Sequence, residues 1–317
     1  MKIQTILGKI DKHQLGYCQC HEHIFLRKGF SSLLDHNLWI DDLEKSTEEL
    51  VLYKNAGGNA LVDAQPIGCG RMVENLAMAS QRSGIHIIAS TGFHKLIFYP
   101  KNHWIHSIST ETFSKIMMDE ILKGMYLECD RDYPKIQSDY RAGMIKAAIE
   151  SNGIIGRYEA LFDAAAHCAK KTGAAIQCHT EKGAYGVEVV KFFINKGVDP
   201  RKIIIAHVDR RTDNLGVHKQ ICELGAFLEY DTIGRYKYHS DEDEVKIIKE
   251  MIKAGFSKHI LMGLDTTRAR LKSYGAKIGL DYILEEFIPL LQSNEVSEKI
   301  MNEITIDNPK SVLSIEN

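Results

Sequence analysis

The sequence predicts an α/β fold, a (β/α)8 TIM barrel with a short N-terminal hairpin. Three observations carry that expectation. Six amphipathic stretches each end at a glycine, namely Gly57, Gly84, Gly173, Gly197, Gly225 and Gly255, and a short apolar run follows each. Glycine suits the left-handed position that ends a helix, and short apolar runs suit parallel strands buried on both faces. Two further strand-like runs raise the count to eight, the number a closed barrel needs. The competing open doubly wound sheet lacks its usual support, because neither G-x-G-x-x-G nor G-x-x-x-x-G-K-[ST] occurs.

Taken in chain order, residues 1–16 read as a hairpin or plug. Residues 17–23 form the first strand. Ser46 with Glu49 reads as a helix-capping signal. Strands two and three fall at 60–62 and 85–89. A long excursion follows over 93–140, holding a loop and a helix around 110–127. Strand four is 143–148, and the next helix places Tyr158, Leu161, Ala165 and Cys168 on one face. Strands five to seven fall at 174–176, 203–206 and 226–228. Ser240 and Asp243 open a helix whose buried face carries Val245, Ile248 and Ile252, and strand eight is 259–262. No low-complexity linker interrupts the pattern, so one barrel domain is expected over 1–317.

Composition narrows the function. The 317 residues include 40 Lys and Arg against 42 Asp and Glu, so there is no global basic field for nucleic acid or a membrane surface. A hydrophobic fraction of 44% with 26% charged residues is that of a globular chain. No apolar run reaches the ~18 residues of a membrane span. The first residues lack the apolar core of a signal peptide. Seven scattered cysteines have no metal-ligand spacing, and Cys18, Cys129, Cys168, Cys178 and Cys222 lie in apolar stretches as small buried hydrophobes. A cytoplasmic location is expected.

In barrels of this kind the chemistry sits at the C-terminal ends of the strands. Strand one ends Cys20-His21-Glu22-His23, and strand four carries Lys146. Strand five ends at His179, strand six at His207 and strand eight at Asp265. A lone H-x-H means little, since chance yields about 0.6 in a chain of this length and histidine content. Its place on a strand gives it meaning. Residues i and i+2 share a face, so His21 and His23 point inward and Glu22 away. His179 or His207 alone would read as a hydrogen-bonded core histidine. Together at one rim with an aspartate, they read as a ligand set for divalent metal. Lys146 sits between Met144-Ile145 and Ala147-Ala148, with no easy route to solvent for a charged head.

This set, His21-Glu22-His23, Lys146, His179, His207 and Asp265, resembles the phosphotriesterase-related family of the amidohydrolase superfamily, over nearly the whole chain. The stretch Leu7-Gly8-Lys9-Ile10 and the tail Asn308-Pro309 fit as well. The resemblance implies that Lys146 reacts with carbon dioxide to give a carbamate bridging two divalent ions. It implies that His21, His23 and Asp265 bind one ion, and His179 and His207 the other. A carbamate has a charge and two oxygens to offer, where a protonated lysine would be repelled. Such a centre holds a bridging hydroxide with its pKa lowered towards ~7, which attacks the substrate. Asp265 then moves the proton to the leaving group. Zinc is the first expectation for the metal, with manganese or cobalt as alternatives.

The loops after strands seven and eight suggest the substrate. They read Asp231-Thr-Ile-Gly-Arg235-Tyr-Lys237-Tyr and Asp265-Thr-Thr-Arg268-Ala-Arg270-Leu-Lys272. Phosphate sites in barrels are often built from these two loops. Lys237 and Arg268 are the leading candidates, with Arg235 beside them and Arg270 further from the strand end. Lys95 and Tyr99, in the loop after strand three, could add polar contacts, while His103 and His106 read as ordinary loop histidines. Asp265-Thr-Thr-Arg268 and Lys272-Ser-Tyr-Gly275 look like the branch of the family acting on phosphorylated sugar lactones. The expected reaction is hydrolytic opening of a furanose 1,4-lactone phosphate. The alternatives are a phosphotriesterase or acyl-homoserine lactonase at the same centre, and a catalytically silent metal-binding barrel. The sequence leaves room for a homodimer.

Overall fold

A computed structural model describes residues 1–213 and 215–315. Eight parallel strands follow one another round a nearly closed barrel: β1 (Cys18–Glu22), β2 (Ala60–Asp63), β3 (His86–Gly92), β4 (Met144–Ala148), β5 (Ala175–His179), β6 (Ile203–Ala206), β7 (Phe227–Tyr230) and β8 (Ile260–Met262). The ring meets itself where Asp265 N donates to His21 O at 2.9 Å. Gly263 permits this approach, since a Cβ there would lie 2.9 Å from His21 N. Gly92, at φ +97°, lets β3 close on β4, where a Cβ would collide with Lys146 O.

Apolar residues from every strand fill the lower barrel. Cys18, Ala60, Ile88, Met144, Ala175, Ile204, Phe227 and Leu261 form one cluster, plugged from below by Ile3, Leu15 and Val312. The hairpin Lys2–Thr5 with Gly8–Asp11 thus lies where the sequence places it. The alternate residues, such as Leu61, Ile87, Ile145 and Ile205, pack outward in a second core with the helices. All seven cysteines are buried and free. Among the described residues no helix is long and apolar enough to cross a membrane.

Two local expectations need correction. Ser46 and Glu49 do not cap a helix. Asp42 does, accepting from Lys45 N, and the helix runs Leu43–Asn55. Both residues are buried within it. Ser46 Oγ donates to Ile24 O, and Glu49 accepts from the backbone of Ser273 and Leu280. The cap lies one turn earlier, and the same residue types at positions 46 and 49 serve tertiary contacts. In the excursion, the helix is Thr110–Leu122 and stops short of 127. Tyr126–Leu127 instead pairs with Ile136–Gln137.

That excursion is tied down by a buried ion pair. Arg71 donates two hydrogen bonds to Glu120, at 2.9 and 2.6 Å, and both side chains are almost fully enclosed. Glu120→Gln leaves a guanidinium charge buried without its counter-charge. The expected loss is about 3–5 kcal/mol, read as a lower urea midpoint at unchanged slope. An unchanged midpoint would show that the pair does not anchor the excursion.

Candidate active site

The histidine pair reaches the barrel interior through a bulge. Between β1 and β2 the pairing shifts register from Gln19 to Glu22. Cys18 and Cys20 point into the lower core, so regular alternation would turn His21 outward. The extra residue reverses the phase and brings His21 and His23 inward, a common use of bulges beside active sites. Their rings lie 5.7 Å apart. Glu22 faces away as expected, accepting from Leu264 N at 2.8 Å.

The six residues singled out in the sequence converge. His21 Nε2 and His23 Nε2 lie 3.7 and 3.6 Å from Asp265 Oδ1. Lys146 Nζ lies 3.0 Å from His21 Nε2 and donates to Gln177 Oε1 at 2.9 Å. His207 Nε2 is 2.8 Å from His179 Nδ1. His207 and Asp265 take left-handed backbone angles, φ 65° and 47°. Non-glycine residues rarely adopt these, and such strain clusters at functional sites.

Several residues here escaped the sequence reading. Glu229 Oε2 and Asp231 Oδ2 flank His21 Nδ1 at 2.8 and 3.1 Å, and Asp231 Oδ1 takes His207 Nδ1 at 2.6 Å. A carboxylate on one ring nitrogen fixes the tautomer and leaves the other for a metal. Glu229 was legible, as a charged residue in phase with buried Phe227. Arg210, another addition, and Arg235, which the sequence offers for substrate binding, both hold Asp265 Oδ2 instead, at 2.6 and 2.9 Å, and Arg235 also reaches Asp265 O.

The electrostatics suit ligands. Burial pushes His179 down to about 4 and holds His207 well below the ordinary histidine range, so both present neutral imidazoles. Burial also lowers Lys146. Burial opposes the charge on Asp265, but Arg235 and His23 hold its carboxyl well below the usual range. For His21, burial and Lys146 are outweighed by Glu229 and Asp231, which raise it to about 9. His23 Nδ1 is buried without a hydrogen-bond partner.

Above this centre lies a cavity of about 710 Å³. Arg210, Arg235, Lys237, Arg270 and Lys277 line it, with apolar wall from Leu26, Leu38, Phe98 and Ile278. Arg210 and Lys277 are additions to the sequence reading. Lys237 is exposed at the rim, with Nζ 4.9 Å from the Tyr238 ring centre. Arg270 spends its guanidinium on the carbonyls of Ile233 and Gly234. Arg268 does not line the cavity. It lies between Trp39 and Tyr274, 4.9 and 5.1 Å from their ring centres, and donates to Trp39 O. Lys95 is engaged by Glu181 at 2.6 Å. Tyr99 is buried, its hydroxyl bridging His94 N and Ile67 O. His103 and His106 bond to the carbonyls of Cys129 and Pro100, away from the centre.

A parallel barrel with imidazoles, carboxylates and a buried lysine at its strand ends defines a hydrolase centre of the metal-assisted kind. The chain belongs to the phosphotriesterase family, which matches residues 1–313. It is 33% identical to a Mycoplasmopsis synoviae (strain 53) protein named phospho-furanose lactonase, over 99% of this chain and 92% of that one. An amidohydrolase structure from Mycoplasma synoviae superposes with a TM-score of 0.94 at 31% identity, covering 100% of this chain and 92% of that chain. A lactonase from Listeria monocytogenes gives 0.91 at 28% identity, covering all of both chains. The protein is a hydrolase of this family.

Proposed function

We propose that the enzyme is a metal-dependent lactonase that opens a phosphorylated furanose 1,4-lactone to the hydroxy acid. The observation that carries this reading is a cation rim, above all Lys237, set over the neutral imidazoles of His179 and His207 and the ionised carboxylate of Asp265. Relatives named as lactonases, one for phospho-furanose substrates, support it.

The residues fit divalent metal. His21, His23 and Asp265 bring one ligand atom each within 4.8 Å of one another. With His179 and His207 opposite, they would hold two ions, zinc first by ligand type. Lys146 is fully buried, and burial lowers it, which favours the neutral amine that reacts with carbon dioxide; a carbamate there would supply an anion for the ions. The ions, when bound, would acidify water and polarise the lactone carbonyl. Asp265 accepts the proton of the attacking water. As the acyl–oxygen bond breaks, it returns that proton to the ring oxygen. Arg210 and Arg235 hold the carboxylate in place. Glu229 and Asp231 keep the protons of His21 and His207 on Nδ1.

The phosphate meets the rim. Arg210 and Arg235 are committed to Asp265, and Arg270 to backbone carbonyls, which leaves Lys237 and Lys277 for an anionic end. Arg268 is held between Trp39 and Tyr274, outside the cavity lining. Losing one charged hydrogen bond costs roughly 1.5–3 kcal/mol, or about 10- to 150-fold in kcat/KM. Lys237→Ala therefore impairs the phosphorylated lactone by that order and hardly alters an unphosphorylated one. Arg268→Ala alters both alike. Equal losses on both substrates for Lys237→Ala would remove Lys237 from phosphate binding. A phosphotriesterase is less well served, because neutral ester groups call for an apolar pocket without a cationic rim.

A further inference from the structure

We propose that Asp209, His239 and Glu244 form a second, separate cation site that binds a divalent ion such as zinc. One ligand atom from each lies within 4.8 Å of the other two. Asp209 sits in the turn after β6, two residues past His207. His239 lies at the end of the loop after β7. Glu244 is in the first turn of helix Asp241–Lys253.

The side chains are enclosed and unfinished. Asp209 and Glu244 have no solvent exposure, and the His239 side chain only 6%. Asp209 Oδ2 accepts from Thr232 N at 2.6 Å, but Oδ1 has no partner. Neither Glu244 oxygen has a hydrogen-bond partner, nor does His239 Nε2. His239 Nε2 and Glu244 Oε2 have only each other, and buried carboxylate oxygens are rarely left without partners, so Asp209 Oδ1 and Glu244 Oε1 in one cluster point to a missing group. His239 Nδ1 is 2.9 Å from Ser240 O, which can only accept, so Nδ1 carries the proton. Nε2 then faces Glu244 Oε2, 3.1 Å away, and burial is outweighed by that carboxylate, which raises the ring to about 9, so without a metal the two share a proton.

A divalent ion would displace that proton and draw in the two carboxylate oxygens left without partners, Asp209 Oδ1 and Glu244 Oε1. Zinc binds imidazole and carboxylate atoms at roughly 2.0–2.2 Å, which sets neighbouring ligand atoms roughly 3.2–3.6 Å apart, a small widening from the 3.1 Å between His239 and Glu244. A buried Asp231 nearby adds negative charge to the cluster. Arg210, the cation beside Asp209, is spent on Asp265. An ion here would pin the loop carrying Arg235 and Lys237 to the turn that carries His207, and so hold the cavity rim over the centre.

The test counts zinc in the full-length, zinc-loaded and desalted protein. Glu244→Gln and His239→Gln should each lose one zinc per chain relative to wild type, whatever the total, while retaining the native circular dichroism spectrum. Folded variants that keep the wild-type count would overturn the site and leave protons as the neutralising charge. Should either variant fail to fold, zinc-edge anomalous diffraction from wild-type crystals decides. A peak among the three side chains supports the proposal. Peaks confined to the His21–His207 centre contradict it.

Discussion

If the proposed two-ion centre holds, Lys146→Ala is expected to abolish tight binding of both ions and to lower kcat/KM for the lactone by about 10³-fold or more. Lys146 is fully buried on β4, with Nζ 3.0 Å from His21 Nε2 and 2.9 Å from Gln177 Oε1. Burying an ammonium beside two divalent ions would be prohibitive, so the lysine serves the site only as a neutral amine or a carbamate anion. Alanine supplies neither the bridge nor its charge. Losing metal-based stabilisation of the transition state is worth several kcal/mol, which sets the magnitude. A short carboxylic acid, small enough for the vacated space, should restore part of both metal content and rate. Wild-type metal content in Lys146→Ala would show that no carbamate bridges the ions.

Asp265→Asn is expected to lower kcat by about 10²-fold or more at neutral pH, the usual scale for losing a positioned base. The carboxylate is held ionised by Arg235 and His23, and its Oδ1 faces His21 Nε2 and His23 Nε2. Asparagine keeps an oxygen for Arg210 and Arg235 but cannot take up the water's proton. Folding should change little. The diagnostic is kcat in the metal-loaded variant, with metal content measured alongside. Near wild-type turnover would place the proton shuttle on another group.

The sequence and the structure agree most where residue type and position are both constrained. Glycine-terminated helices and short apolar runs made the barrel legible, because parallel strands buried on both faces can be little else. The polar residues that break those runs at their ends, His21, His23, Lys146, His179, His207 and Asp265, come together as expected. The β1 bulge was not legible. Regular alternation from Tyr17 to His23 would orient the histidine pair inward at the expense of Cys18 and Cys20, yet both sets face the interior. Only the partner strand shows the slipped register. Asp42 rather than Ser46 caps its helix because N-cap residue types recur every few positions and tertiary contacts choose among them.

The rim shows the same limit for long side chains. Arg268 and Lys237 look equivalent as cations near a strand end. In the fold one is held between Trp39 and Tyr274, and the other stands at the cavity mouth. Lys277 and Arg210 reach the cavity from segments whose direction the sequence does not disclose. Glu229 and Asp231 are the instructive omission. Charged residues on the inner face of a barrel strand need partners, and here the partners are the Nδ1 atoms of His21 and His207.

The central claim is a metal centre that opens lactones recognised through a distal phosphate. The measurement that tests it most directly is kcat/KM of the zinc-loaded wild-type enzyme for a furanose 1,4-lactone phosphate and for the same lactone without the phosphate. The account predicts a preference for the phosphorylated substrate of about 10-fold or more, the scale of one charged hydrogen bond at the rim. Equal rates, or a preference for the unphosphorylated lactone, would contradict it.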